Sequence, residues 1–247
     1  MKAKEYRGPD SQSVQRMFAG IAHRYDFLNH FLSASTDRYW RRMAVNKVRD
    51  LLATPASALC LDACSGTGDL ALSLHRRLGS RIIAADFCRP MLTRAKAKFA
   101  SAGTSRSIQN IEADALVLPF ADSVFDAVTI AFGLRNLEIP HHGLRELFRV
   151  LKPGGVVVTL EFSKPVVPVL GFVFNAYFRY VLPHLGAAIS GDDSAYRYLP
   201  ESVRKFPAQA ELAALMSSVG FQGVAYRNLT GGIAALHWAR KPESGQD

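Results

Sequence analysis

Cysteine is scarce in this chain of 247 residues: there are three, Cys60, Cys64 and Cys88. An odd number with no export signal ahead of it argues against a disulfide framework and for reduced thiols in a cytoplasmic protein. C-x3-C with a distant third cysteine is a poor zinc pattern, so small buried residues around one loop are the plainer reading and no metal is expected. Long apolar runs are missing too. The N-terminus, MKAKEYRGPDSQ, has no apolar signal core. The most apolar segment, Pro165 to Phe178, is shorter than the about 20 residues that span a bilayer, and Arg179, Pro183 and His184 follow it. Such a segment can still lie on a membrane or cover a lipid. Internal repeats and low-complexity tracts are absent.

Acidic residues are outnumbered, 21 to 30, for a formal net charge of +9. That excess admits nucleic acid, an anionic membrane surface or an acidic small molecule. Residues 1–58 hold ten Lys/Arg against five Asp/Glu, spread among apolar residues. With no RNA-recognition motif, zinc finger or basic arm, nucleic acid is not expected. Hydrophobic residues at 49% and charged residues at 21% exclude a disordered chain.

Apolar spacing then sets out the elements. Val14, Met17, Phe18 and Ile21 recur at helical period, and Trp40, Met43, Ala44, Val48, Leu51 and Leu52 predict a second amphipathic helix that Pro55 ends. It carries Arg38, Arg41, Arg42 and Lys47, a solvated face or a contact for anionic lipid. Strands are expected at 58–63, 81–86, 109–114, 125–132 and 156–161, and helices at 69–78, 90–100, 142–150 and 209–219. This alternation predicts an α/β fold with a doubly wound, mostly parallel sheet. Residues 224–229 and 233–239 flank "TGG" and read as a closing β-hairpin. The chain divides into a helical cap (1–52), a ligand-binding core (53–162), an aromatic-rich, irregular insertion (163–206) and a C-terminal helix with hairpin (207–247).

The turn after the first strand reads LDACSGTGDLA. Gly66, Gly68 and Ala71 fit G-x-G-x-x-G/A, where missing Cβ atoms allow a ligand close to the backbone. Alone this is weak. RIIAAD adds Asp86, 20 residues after Gly66, where a carboxylate can accept from a ribose diol or cap the next helix. Asp114 and Ala115 follow where an adenine edge would fall. A nicotinamide dinucleotide and S-adenosylmethionine both fit. Asp62 and Asp69 flank the glycines, which suits a cationic ligand better than a pyrophosphate.

LDACSGTGDLA, ADFCRPMLTRAKAK, ADALVLPFADSVFDAVTIAFGLRN and RVLKPGGVVVTLEFSKP together resemble class I S-adenosylmethionine-dependent methyltransferases of Rossmann-like fold. VQRMFAGIAHRYDFLNHFLSASTDRYWRR, SAYRYLPESVRKFP and NLTGGIAALHWARK narrow the resemblance to the UbiE/MenG family, over about Ser13 to Lys241. That resemblance implies S-adenosyl-L-methionine as cofactor, with Asp62, Gly66, Thr67, Gly68, Asp86, Asp114, Ala115 and Ala131 around it. It implies C-methylation of a polyprenylated quinol: demethylmenaquinol to menaquinol, or 2-methoxy-6-polyprenyl-1,4-benzoquinol in ubiquinone synthesis. Three positions depart from the family: Ser65 replaces a usual glycine, Ala131 a serine of some members, and Asp114 a frequent asparagine.

Within "AFGLRN", Ala131 is the small residue beside the cofactor, Gly133 lets the backbone turn, and Arg135 and Asn136 are the catalytic candidates. Arg135 either holds a phenolate or pairs with Glu138 or Glu161; Asn136 either bonds a ring oxygen or caps the turn. Tyr25 and Asp26 are candidates to close the pocket and Tyr196 and Tyr198 to line its entrance, with core packing the equal alternative for each of the three tyrosines. His237 is a base or, more plainly, a structural histidine. Residues 166–178 read as a groove or lid for the isoprenoid tail, or as an ordinary buried helix. The expected partners are the quinol, a peripheral membrane contact and a second copy of the chain. A nicotinamide-dependent oxidoreductase and a membrane-surface or RNA-binding module are the rival readings.

Overall fold

The computed structural model describes residues 6–33, 35–176 and 194–243. The apolar segment Leu59–Ala63 is strand β1, with four of its five residues buried. It pairs in parallel with β2 (Arg81–Asp86) on one side and β4 (Phe125–Ala131) on the other. With β3 (Ile108–Glu112), β5 (Leu151–Phe162), β6 (Gln222–Leu229) and β7 (Ala234–Arg240) they form a seven-stranded sheet of order β3-β2-β1-β4-β5-β7-β6. β7 runs antiparallel to both neighbours. Consecutive strands add outward in one direction from β1 to β3, then in the other from β4. A crevice therefore opens beyond the carboxyl ends of β1 and β4, where ligands of such sheets bind.

Helices α3 (Thr36–Leu51) and α4 (Asp69–Leu78) cover one face of the sheet, with α5 (Arg89–Ser101). Trp40, Ala44, Val45 and Val48 share one stripe of α3 and join Leu70, Leu74 and Phe99 in one core. Helices α6 (Pro140–Val150) and α9 (Gln209–Val219) cover the other face through Leu144, Leu147, Leu212 and Met216. Helix α3 stops at Leu51, four residues before Pro55, because Leu52 is already extended. Helices α1 (Ser11–Ile21) and α2 (Tyr25–Leu32) lead into α3, and Ala22, Phe18 and Tyr25 pack on Met91 of α5.

The segment after β5, expected to be irregular, holds two helices among its described residues, α7 (Pro168–Ala176) and α8 (Ser194–Lys205); residues 163–167 are irregular, and 177–193 lie outside the described residues. Val166, Val169 and Phe172 are exposed at 56%, 72% and 78%, so this is not a buried core helix. Tyr177, Phe178 and the side chain of Tyr196 lie outside the described residues. No helix among the described residues is long and apolar enough to cross a membrane.

Gly68 shows how the glycine turn is used. A Cβ there would fall 2.3 Å from Phe99 Cζ, and its φ is +82°. This glycine lets α5 approach the turn, whereas Gly66 has only Tyr25 Cε1 nearby, at 3.8 Å from a Cβ position. Gly68→Ala should cost about 1–3 kcal/mol through overpacking and backbone strain. Urea unfolding checks it, and an unchanged midpoint would show that Phe99 gives way.

Candidate active site

The crevice is a cleft with about 630 Å³ of empty space, counted to its open mouth. Gly66, Asp86, Asp114, Ala115, Ala131 and Asn136 line it, with Tyr25 on the cap side. Phe18, Phe87 and Met91 add an apolar wall, and Cys64 and Cys88 face the same space. The apolar wall was hidden in the sequence because Phe18 and Met91 sit on helices whose periodicity reads equally well as core. Asp26, Asp62, Thr67, Gly68, Arg135 and His237 do not line the cleft.

Asp86 sits at the end of β2, and both its oxygens hold backbone. Oδ2 accepts the Gly66 N–H and Oδ1 the Cys88 N–H, each at 2.8 Å. One carboxylate thus ties the glycine turn to the start of α5. Burial pushes its pKa up, against these bonds. Asp114 lies two residues past β3, and its Oδ1 accepts the Leu116 N–H at 2.8 Å.

Asp62 and Thr67 face inward. Asp62 Oδ1 accepts from Thr129 Oγ1 at 2.7 Å between β1 and β4, while Oδ2 is buried without a partner. Burial pushes this carboxyl up to about 7, against the Thr129 bond and the pull of Arg41. The Thr67 hydroxyl donates to Asp26. Lys98 Nζ reaches Asp26 Oδ2 at 2.7 Å and Asp69 Oδ1 at 2.5 Å, and Arg41 lies 3.8 Å from Asp69 Oδ2 while pairing with Asp37. Asp69 and Asp26 therefore answer cations of the protein itself, whereas Asp62 is held by the Thr129 hydroxyl.

Arg135 is 5% exposed. Its Nη1 donates to Glu161 Oε2 at 2.9 Å and to the Phe132 carbonyl at 2.5 Å, and its backbone N–H reaches Glu161 Oε1 at 3.2 Å. Of the two expected partners, Glu161 holds it, so its main charge-bearing contact is internal. Burial pulls the guanidinium pKa down, but Glu161 together with Tyr198 and Tyr25 leaves it raised. Asn136 does face the cleft, with Nδ2 donating to the Phe132 carbonyl at 3.0 Å.

The turn itself differs from expectation. The left-handed residue is Phe132 (φ 57°), while Gly133 has φ −106°. Gly133 is there for space: a Cβ would come within 2.4 Å of Cys64 Cβ. Phe132 holds a conformation unusual for a bulky side chain because its N–H bonds Leu160 at 2.7 Å and its carbonyl takes both Arg135 and Asn136.

His237 donates its Nε2–H to the Gln209 carbonyl (2.9 Å), is almost fully buried, and burial lowers its pKa. That is the structural histidine. Arg41 and Lys47 also turn inward, Lys47 Nζ lying 3.9 Å from the Trp238 ring centroid, whereas Arg38 and Arg42 are exposed. The three cysteines are free, and the described residues contain no cluster of metal-ligating side chains.

Residues 3–241 match the ubiE/COQ5 methyltransferase family. The chain belongs to that family. It is 50% identical over 227 residues to the demethylmenaquinone methyltransferase of Thermus thermophilus, covering 92% of this chain and 100% of the relative. It is 38% identical over 237 residues to the ubiquinone/menaquinone biosynthesis C-methyltransferase UbiE of Salmonella paratyphi B, covering 95% and 92%. The fold is similar to that of the [4+2]-cyclase SpnF (TM-score 0.72, 18% identity, 98% and 100% covered). It is also similar to a SAM-dependent methyltransferase from Aquifex aeolicus (TM-score 0.59, 16% identity, 80% and 88% covered). The protein is a methyltransferase of Rossmann-like fold that uses S-adenosylmethionine, and family membership sets aside the oxidoreductase and the non-enzymatic module.

The cleft of this methyltransferase fits that cofactor. Asp86 keeps lone pairs for a diol after its two backbone bonds, Gly66 leaves space beside it, and Met91, Phe87 and Ala115 offer an apolar slot. Asp86→Asn should raise the dissociation constant for S-adenosylmethionine about tenfold, by weakening charge-assisted bonds. Calorimetric titration checks it, and an unchanged constant would remove Asp86 from the ribose role. Asp62 gives a pH signature. An unfolded Asp titrates near 3.9, so between about pH 4 and 7 the fold holds a proton that the unfolded chain lacks. The stability from the neutral carboxyl is complete below the unfolded value and is lost as pH rises through 7, by about 1.4 kcal/mol per pH unit between. Relative to Asp62→Asn, the wild type should weaken from pH 5 to 7 in urea unfolding. A constant difference would mean that Asp62 is ionised throughout.

Proposed function

We propose that this methyltransferase converts demethylmenaquinol to menaquinol by methylating a ring carbon. The observation that carries this reading is the 50% identity, across the whole length of the relative, to the demethylmenaquinone methyltransferase of Thermus thermophilus. The relative from Salmonella, whose name covers ubiquinone as well, supports methoxy-benzoquinol as the second acceptor to test.

When bound, S-adenosylmethionine supplies an electrophilic methyl group. Gly66, Asp86, Asp114, Ala115 and Ala131 would hold it, and the acceptor ring would lie toward Asn136. A ring carbon becomes nucleophilic when a neighbouring hydroxyl ionises, so the protein must orient the ring and exclude water. Asn136 has one N–H and one oxygen lone pair left for a ring oxygen. Arg135 acts through the backbone it anchors, since Glu161 holds its guanidinium. Tyr25, Phe18 and Met91 form an apolar enclosure that keeps water away from the reacting groups.

The exposed apolar residues Val166, Val169 and Phe172 offer a surface for the isoprenoid tail or the bilayer that carries it. Purified enzyme with labelled cofactor should methylate demethylmenaquinol in preference to the benzoquinol. Transfer to neither would sink the assignment. Phe172→Asp should raise KM severalfold for a long-tailed quinol and leave a tail-less analogue unaffected; an equal effect on both would remove the tail from this surface.

A further inference from the structure

Asn136 faces the cleft on a short 3-10 turn, Leu134–Asn136. Its amide is held at both ends. Nδ2 donates to the Phe132 carbonyl at 3.0 Å, and Oδ1 accepts from the Tyr198 hydroxyl at 2.7 Å. The two partners agree on which way the amide points. A carbonyl can only accept, so the Phe132 side must be the nitrogen, and the phenol then donates to the oxygen. Burial pushes the Tyr198 pKa up to about 12, so the phenol remains a donor across the working range.

We infer that Tyr198 is a positioning residue for methyl transfer, which fixes the Asn136 amide so that its one free N–H and one free lone pair meet the acceptor ring oxygen. This rests on the quinol reading above. The tyrosine arrives from α8, 62 residues further along the chain, and is half-buried against the turn. Phe132 alone cannot set the amide. Its carbonyl is shared with Arg135 Nη1 at 2.5 Å, and a single bond at Nδ2 leaves the amide room to librate about χ1 and χ2 together. With the hydroxyl in place both torsions are determined before substrate arrives, and none of the binding free energy is lost in ordering the amide.

Tyr198→Phe tests this, because it keeps the ring and removes one oxygen. The expected result is a roughly tenfold fall in kcat with the cofactor dissociation constant unchanged. In an Asn136→Ala background the same change should have no further effect, since its only target is gone. If Asn136→Ala turns over too slowly, the cycle is read instead from the dissociation constant of demethylmenaquinone, by quenching of tryptophan fluorescence. Full turnover by Tyr198→Phe overturns the inference, and so does an equal loss in both backgrounds, which marks Tyr198 as packing only. Failure of the wild type to methylate either quinol overturns the function and this inference together. Failure of the cycle with an active wild type overturns the inference alone.

Discussion

The buried ion pair between Arg135 and Glu161 is the constraint on which the reacting side of the cleft depends. It joins the loop after β4 to the end of β5, two neighbouring strands whose carboxyl ends frame the site. Burial pushes the Glu161 carboxyl up, and the guanidinium beside it pulls the other way. Such pairs add little over a well-packed apolar pair, yet losing one partner costs about 3–5 kcal/mol because the other charge is stranded. The loop is thereby held to one shape. Arg135 also bonds the Phe132 carbonyl, which stabilises that residue's left-handed backbone, which aims Asn136. Near the N-terminus, the Tyr6 hydroxyl donates to the Arg135 carbonyl at 3.1 Å and the Gly8 N–H to Glu138 at 2.9 Å, so a strap of chain lies over the same loop.

Acidic residues near the glycine turn divide into three kinds of work. Asp86 faces the cleft while its backbone bonds shape the turn. Asp62 is interior and is poised between charge states. Asp69 and Asp26 share Lys98. Only the first both lines the cleft and is part of the scaffold, so one carboxylate links the shape of the cleft to the integrity of the turn.

Most of the fold was legible in the sequence. RIIAAD, Asp69–Leu78 and Gln209–Val219 have the bounds expected from periodicity and punctuation. Period and glycines report local backbone, and these elements are locally determined. The cleft was legible where a residue type marks a strand end, as at Asp86, Asp114 and Asn136. It was not legible where direction decides. Thr67 and Asp62 stand in the right place along the chain, but each side chain turns to a partner far away in sequence, Asp26 and Thr129; for Arg135 the sequence offered Glu161 beside a ligand and did not decide between them. Gly133 misled for a related reason, since close approach to Cys64 demands glycine as firmly as a positive φ does, and sequence shows no difference between them.

Lys98, on α5, bonds at once to Asp26 of the cap helices and to Asp69 beside the glycine turn, with Thr67 3.3 Å away. The roof and the floor of the cleft thus share one ammonium group. Anything that binds between them also bears on how firmly the N-terminal helices are seated, and the seating bears equally on the binding. The side chains in this junction are about one-quarter exposed, so salt reaches them. Ionic strength therefore bears on how firmly the N-terminal helices sit over the cleft.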